Sequence, residues 1–247
     1  MELCKFFKEN PKVAIGFSGG VDSAYLLYKA KECGADIQPY YIKTAFQPEF
    51  EFYDALRLCE EIGVELKVIN YDILSVPEIK ANPKNRCYYC KRALFSALKM
   101  QAEKDGYTLL IDGTNASDDL SDRPGAKAIS ELSVRSPLRE CGLTKDEIRK
   151  LSREAGLFTW DKPSYSCLAT RVKTNTMLDK NRLGKVEATE LALRSLGFSD
   201  FRVRTDGDIA SLEIKKDQHL KAEKMHTELL NTVKKQFKNE TLEIKER

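Results

Sequence analysis

The stretch KVAIGFSGGVDSAYLLYKAKECG, residues 12–34, decides the fold. Lys12–Phe17 is a short, apolar and partly β-branched run, which predicts a buried strand. Two glycines, Gly19 and Gly20, then open a turn. Asp22–Cys33 places Ala24, Leu26, Leu27 and Ala30 at helical spacing, and Gly34 stands where a helix C-cap belongs. Strand, glycine turn and helix in that order make an anion-binding device. Glycine lets the backbone approach an anion with no Cβ in the way, and the amides at a helix N-terminus, with the helix dipole behind them, attract phosphate. The hydroxyls of Ser18 and Ser23 add donors. No Gly-Lys-Ser/Thr follows the strand, so this is not a Walker loop and no lysine of the loop reaches a phosphate.

Outward from this stretch the same alternation continues. Ile37–Ile42, Glu65–Tyr71 and Tyr107–Ile111 read as strands, and Glu49–Ile62, Cys90–Lys104 and Lys145–Ala155 as helices, the last with Thr144 as its N-cap. Strands alternating with helices predict a parallel sheet wrapped by helices. The last third changes character. A short strand is expected over Ala169–Val172, a helix over Leu178–Leu196 and strands over Phe201–Thr205 and Asp208–Ile214 about an Asp206-Gly207 turn. A helix over Lys216–Phe237 and a strand over Glu240–Ile244 complete the order β-α-β-β-α-β, the ferredoxin-like plan. The expected organisation is an α/β domain over 1–165 and a small ferredoxin-like α+β domain over 166–247.

The 247 residues carry 41 basic and 38 acidic side chains, a net charge of +3, too small an excess for a protein that grips many nucleic-acid phosphates. Residues 168–247 hold 17 basic and 13 acidic side chains, so what excess there is belongs to the second half. No run of ~18 apolar residues occurs, which excludes a membrane-spanning helix. The opening MELCKFFKENPK has no apolar signal core, and a cytoplasmic location is expected.

Seven cysteines cannot all pair, and in a reducing compartment clustered cysteines point to metal or catalysis before disulfides. Cys87 and Cys90, in RCYYCK, are spaced to share one helical face, in a positive setting of Arg86, Lys91 and Arg92 that suits thiolates. Cys167, in SYSCLATR, stands at the expected domain junction. Two local thiols and a distant one suit a [4Fe–4S] cluster with one iron left open. A redox disulfide across Cys87 and Cys90, inert thiols, or zinc completed by His219 or His226 are the other readings. Cys4, Cys33, Cys59 and Cys141 have no partner at metal spacing and read as small buried hydrophobes. Asp112-Gly113-Thr114-Asn115, with Asp118, Asp119 and Asp122 behind it, forms a second polar strand end. Arg202 and Arg204 alternate on one strand and so share a face suited to phosphate.

The segment SGGVDS resembles the PP-loop of the ATP-pyrophosphatase superfamily. Together with RCYYCK, DGTNASD, RPG, SPL, SCLATR and LGF…RVR…GDIA…EI, it makes nearly the whole chain similar to the LarE family of ATP-dependent sulfur transferases. The resemblance implies that Ser18, Gly19, Gly20, Val21, Asp22 and Ser23 hold the phosphates of ATP. It puts Ile42 near the adenine, and Asp112 and Thr114 over the nucleotide. Asp22 would take Mg²⁺ and, with Cys167, a catalytic role. It further implies that Cys87, Cys90 and Cys167 bind a [4Fe–4S] cluster and that Arg202 and Arg204 bind the phosphate of a small nucleotide substrate. Arg171 is expected to join them, and Trp160 and the pair Tyr88–Tyr89 to wall the site. The reaction implied is adenylation of a carboxylate of a pyridinium dicarboxylate mononucleotide, then replacement of AMP by sulfur from sulfide or another donor, in nickel-pincer nucleotide synthesis. A homo-oligomer is expected. Two segments depart from the family: VKTNT after Arg171 lacks the Pro-Tyr-Gly common there, and no Gly-aromatic-Arg-Ser-Gly stretch follows the last strand. The alternatives are a cluster-dependent tRNA thiolase of the same superfamily and a non-catalytic nucleotide or cluster sensor.

Overall fold

Val13, Ala14 and Ile15 are wholly buried. A strand buried on both faces needs helices on both sides of its sheet, and the computed structural model, which describes residues 3–119 and 124–247, has them. In chain order the elements begin with α1 (Leu3–Glu9), β1 (Lys12–Gly16), α2 (Val21–Glu32), β2 (Asp36–Lys43), α3 (Glu49–Ile62) and β3 (Lys67–Asn70). Then come α4 (Pro77–Lys80), α5 (Arg86–Lys104), β4 (Leu110–Ile111), α6 (Pro124–Glu131), α7 (Pro137–Glu140) and α8 (Lys145–Glu154). The remainder holds α9 (Lys180–Ser195), β5 (Arg202–Asp206), β6 (Ile209–Ile214), α10 (His219–Lys224), α11 (His226–Lys234) and β7 (Ile244–Glu246). Asp122 and Arg123, singled out in the sequence, lie outside the described residues.

The chain divides into two units. The first runs to Ile73 and resumes over Asn85–Ser164; the second takes Leu74–Lys84 and Tyr165–Arg247.

In the first unit β1 pairs parallel to β2 and β4, and β2 to β3, giving the order β3-β2-β1-β4. Period-two alternation then sorts the core. Val13 and Ile15 pack with Leu26, Leu27, Ala55, Leu58 and Ile148 of α2, α3 and α8 on one face. Ala14 packs with Leu98 and Ala102 of α5 and Ile129 of α6 on the other. Each fully buried leucine here contributes roughly 1.5–3 kcal/mol. Three helices of this unit, α1, α6 and α7, are additional to the sequence reading, as is α4 of the second unit, and β4 is shorter than expected. Cys4 of α1 and Cys33, the C-cap residue of α2, form a disulfide with Cα atoms 5.3 Å apart, where the sequence suggested two separate apolar thiols.

The second unit is α+β with a three-stranded sheet of order β5-β6-β7. β5 and β6 form an antiparallel hairpin over the two-residue loop Gly207-Asp208, with Gly207 at φ 62°. β7 lies parallel to β6. The expected strand at Ala169–Val172 is a 3-10 turn, Leu168–Arg171, touching the sheet through a single Val172–Thr205 bridge beside β5. A ferredoxin-like sheet interleaves its two β-α-β units; here neighbours in sequence are neighbours in the sheet. The long helix expected over Lys216–Phe237 is broken at Met225 into α10 and α11. The last strand falls at Ile244–Glu246 rather than Glu240–Ile244.

Candidate active site

The order β3-β2-β1-β4 reverses direction between β1 and β4, and ligands of open α/β sheets bind outside the strand ends at such a point. The phosphate loop sits there. Ser18 Oγ and Ser23 Oγ are 3.1 Å apart, Gly20 N–H donates to Ser18 Oγ at 3.3 Å, and Ser23 Oγ donates to Gly20 O at 3.2 Å. Gly20 caps α2 without a side chain, so no capping side chain occupies the first amides of the helix. Gly19 is at φ 70°, and a Cβ on it would stand 3.0 Å from Ala55 Cβ and 3.1 Å from the α3 backbone. Val21 is buried behind the loop, and Ile42 is half-buried at the end of β2.

The end of β4 abuts this loop directly. A Cβ on Gly113 would lie 3.0 Å from Ser23 N and 3.3 Å from Asp22 Cβ. Asp112 is buried. Its carboxylate accepts from Thr114 N at 3.1 Å, Thr114 Oγ1 at 2.7 Å and Ser136 Oγ at 2.7 Å. As placed, Asp112 and Thr114 shape the segment that closes on the loop. Asp118 accepts from Asn115 N at 3.0 Å, and Arg139 donates to Asp118 O at 2.7 Å, so this aspartate also holds the turn.

Asp22 receives Lys145 Nζ on Oδ2 at 2.6 Å and Asn115 Nδ2 on Oδ1 at 3.3 Å. A second lysine, Lys162, donates to Gly19 O at 3.3 Å and pairs with Asp54 of α3 at 2.6 Å. Arg149 of α8 fixes its turn by donating to Trp160 O at 2.6 Å and Lys162 O at 2.8 Å. Sequence reasoning missed both lysines. Lys145 lies inside the Thr144–Glu147 capping box, so its place on α8 was readable, but nothing local tied it to the loop. Trp160 stacks under Arg153, its ring centroid 4.8 Å from the guanidinium. Tyr88 and Tyr89 meet edge to face at 5.4 Å, and Tyr88 OH donates to Glu131 at 2.8 Å.

α5 begins at Arg86, four residues before the expected start, which brings both Cys87 and Cys90 inside the helix, three residues apart. Cys87 is exposed and Cys90 half-buried, and neither is in a disulfide. Cys59, by contrast, is buried, and burial pushes its thiol up to about 12; burial raises Cys141 as well. Among the described residues no three Cys, His, Asp or Glu side chains converge as a metal site. Each histidine ring faces a backbone carbonyl, His219 that of Ile214 and His226 that of Leu242, both at 3.2 Å.

In the second unit Cys167 is half-buried, outside any disulfide, and caps the turn that carries Arg171. Arg171 is 1% exposed. Its Nε donates to Glu190 Oε1 at 2.8 Å, and its Nη1 to Ser166 O, Ser166 Oγ and Thr170 Oγ1 at 2.7–2.9 Å. The guanidinium is thus enclosed by its own unit. Arg204 pairs with Glu213 at 2.9 Å and donates to Thr170 O. Arg202 shares its face of β5 and has no hydrogen-bond or ion-pair partner among the described residues; burial, then Arg171 and Arg204, lower its pKa. A cleft of about 600 Å³ opens beside Arg204, lined also by Lys173, Ser211, Thr241 and Lys245.

A parallel sheet with this strand order, a glycine phosphate loop and a second polar strand end define a nucleotide-binding α/β protein of the PP-loop class. Residues 11–74 match the family described as tRNA methyl transferase HUP domain. The chain is 35% identical over 214 residues to the pyridinium-3,5-bisthiocarboxylic acid mononucleotide synthase of Lactiplantibacillus plantarum, covering 86% of this chain and 78% of that one. It is 36% identical over 220 residues to an uncharacterized protein of Synechocystis sp., covering 87% and 81%. It belongs to the LarE family, the ATP-using sulfurtransferases typified by the Lactiplantibacillus synthase. A tRNA-specific 2-thiouridylase of Clostridium acetobutylicum is 28% identical over 193 residues, covering 62% of this chain and 54% of that protein.

Proposed function

We propose that this chain is a sulfur-inserting enzyme that uses ATP to convert a carboxylate of a pyridinium dicarboxylate mononucleotide into a thiocarboxylate, in nickel-pincer nucleotide synthesis. The observation that carries the reading is the match to the named synthase across 78% of its length, which takes in both units and not only the loop. The chemistry suits the site. A carboxylate is a poor electrophile because its oxygen would leave as oxide. Attack of that oxygen on the α-phosphorus of ATP expels pyrophosphate and makes the acyl carbon reactive. Sulfide then adds to that carbon, and AMP departs with the oxygen. Loop amides at Ser18–Ser23 hold the departing pyrophosphate.

Magnesium would be held by Asp22, which keeps lone pairs on both oxygens and remains partly exposed; the ion neutralises phosphate charge when bound. A [4Fe–4S] cluster would be held by Cys87, Cys90 and Cys167, and it supplies an open iron that binds sulfide when present. The donor set supports this: all three thiols lie outside disulfides and outside the core, unlike Cys59. Arg202 and Arg204 would take the substrate phosphate, and Arg171 would support them from behind.

The test is incubation with ATP, Mg²⁺, sulfide and pyridinium-3,5-dicarboxylic acid mononucleotide, followed by mass spectrometry and a pyrophosphate assay. Exchange of oxygen for sulfur, with AMP and pyrophosphate formed only when the mononucleotide is present, is the expected result. Absence of pyrophosphate with that substrate overturns the reading. The thiouridylase match favours a second reading, tRNA thiolation. Salt-sensitive binding of tRNA in a gel shift supports that reading.

A further inference from the structure

ATP brings several negative charges to a loop whose one ionisable side chain, within Ser18–Ser23, is the acidic Asp22. Beyond the loop amides and a metal ion, any cationic side chain that meets the phosphates comes from outside the loop. Two lysines touch atoms of the loop, and they are placed differently. Lys162 is 14% exposed, bonded to the loop backbone at Gly19 O, paired with Asp54 and fixed through its own carbonyl by Arg149. It braces the loop against α3. Lys145 touches the loop only through the Asp22 carboxylate, at 2.6 Å, and is 27% exposed. Its backbone is anchored, because it opens α8 and its N–H donates to Ser117 Oγ at 3.0 Å. The ammonium is thus a free end on a fixed base. A partly exposed pair of this kind is worth only about 0–1 kcal/mol, so a polyphosphate outcompetes Asp22 for it.

We propose that Lys145 is the polyphosphate-binding cation of this site, parked on Asp22 in the nucleotide-free protein and transferred to the β- and γ-phosphates when ATP enters. This rests on the reading of the loop as an ATP site. It gives the fold, from a helix 123 residues further along the chain, the charge that a Walker loop carries within itself.

Calorimetric titration with Mg-ATP and, separately, with adenosine tests the proposal on wild type, Lys145→Met, Lys145→Arg and Lys150→Met. Lys150 is exposed on the same helix and controls for net charge. Lys145→Met is expected to weaken ATP by about tenfold or more while leaving adenosine within about twofold. Lys145→Arg should recover most of the loss, and Lys150→Met should bind both ligands as wild type does. ATP binding by Lys145→Met at wild-type strength overturns the proposal, as does an equal loss of ATP and adenosine. If Lys145→Met fails to fold, the same comparison is made on Lys145→Gln. Wild type that binds no ATP sinks this proposal and the proposed function together. Wild type that binds ATP through Lys145 but releases no pyrophosphate with the mononucleotide sinks the function alone.

Discussion

Removing the charge of Glu190 should unfold the second unit more readily than any surface change. Glu190 and Arg171 are 3% and 1% exposed, and their ion pair has a second contact, from Arg171 Nη2 to Glu190 Oε2 at 3.3 Å. Glu190 also accepts from Val203 N at 3.0 Å and from the Tyr165 hydroxyl, so one carboxylate ties α9, β5 and the Tyr165–Arg171 segment together. Glu190→Ala leaves a buried guanidinium with no counter-charge, and breaking a buried pair this way costs about 3–5 kcal/mol. In a chain of this size that lowers Tm on the order of 10 °C. Differential scanning calorimetry and urea unfolding followed by circular dichroism measure it. The double variant Arg171→Met with Glu190→Leu should recover most of the loss, because an apolar pair of similar volume replaces two desolvated charges. A Glu190→Ala protein within about 1 kcal/mol of wild type would refute the reasoning.

Other expectations follow from single contacts. Gly113→Ala drives a Cβ into the backbone amide of Ser23, so the loop must shift; ATP affinity should fall, and stability by about 1–3 kcal/mol, read by titration and melting. The Cys4–Cys33 bond closes a loop of 29 residues, and Cys33→Ser should lower the stability of the oxidised protein by about 3–4 kcal/mol while leaving the reduced protein nearly unchanged. Asp105 is held down to about 2 by Lys67, then by the Tyr40 hydroxyl, from an ordinary value of 3.8. A depressed carboxyl stabilises the fold above its unfolded value and loses that contribution as pH falls through the folded one. The difference in urea midpoint between wild type and Asp105→Asn should therefore be constant above pH 4 and close between pH 3.8 and 2.

Elements whose signal is local were legible in the sequence. Glu49–Ile62 matches its expected bounds because apolar spacing begins after Pro48 and Gly63 ends it in a left-handed turn. The Thr144 cap is present with both halves of its capping box. Helix α1 was not legible: LCKFFKE is short and carries two lysines, and it is held by Phe6 and Phe7, both buried against the core. The break at Met225 was hidden because apolar spacing runs across it. Arg171 reads as a ligand from SCLATR, since burial against Glu190 depends on a helix 19 residues away. The order of strand, glycine turn and helix around Ser18–Ser23 was readable to within a residue at each end, whereas Lys145 and Lys162 are joined to it across 123 and 143 residues, beyond the reach of any motif spacing.

The second unit is not a contiguous tail. Leu74–Lys84 leaves the first unit to join it and then returns. There Ile79 is wholly buried, Asn82 Nδ2 donates to Lys173 O at 2.9 Å, and Asn175 N and Leu178 N donate to Asn82 O and Lys80 O at 2.8 Å. A cut after Ser164 would strand this finger on the wrong fragment and open those three hydrogen bonds. The two halves therefore cannot be expressed, swapped or inherited as separable modules. An evolutionary graft or an engineered chimera of this protein would have to carry three splice points, after Ile73, Lys84 and Ser164, not one.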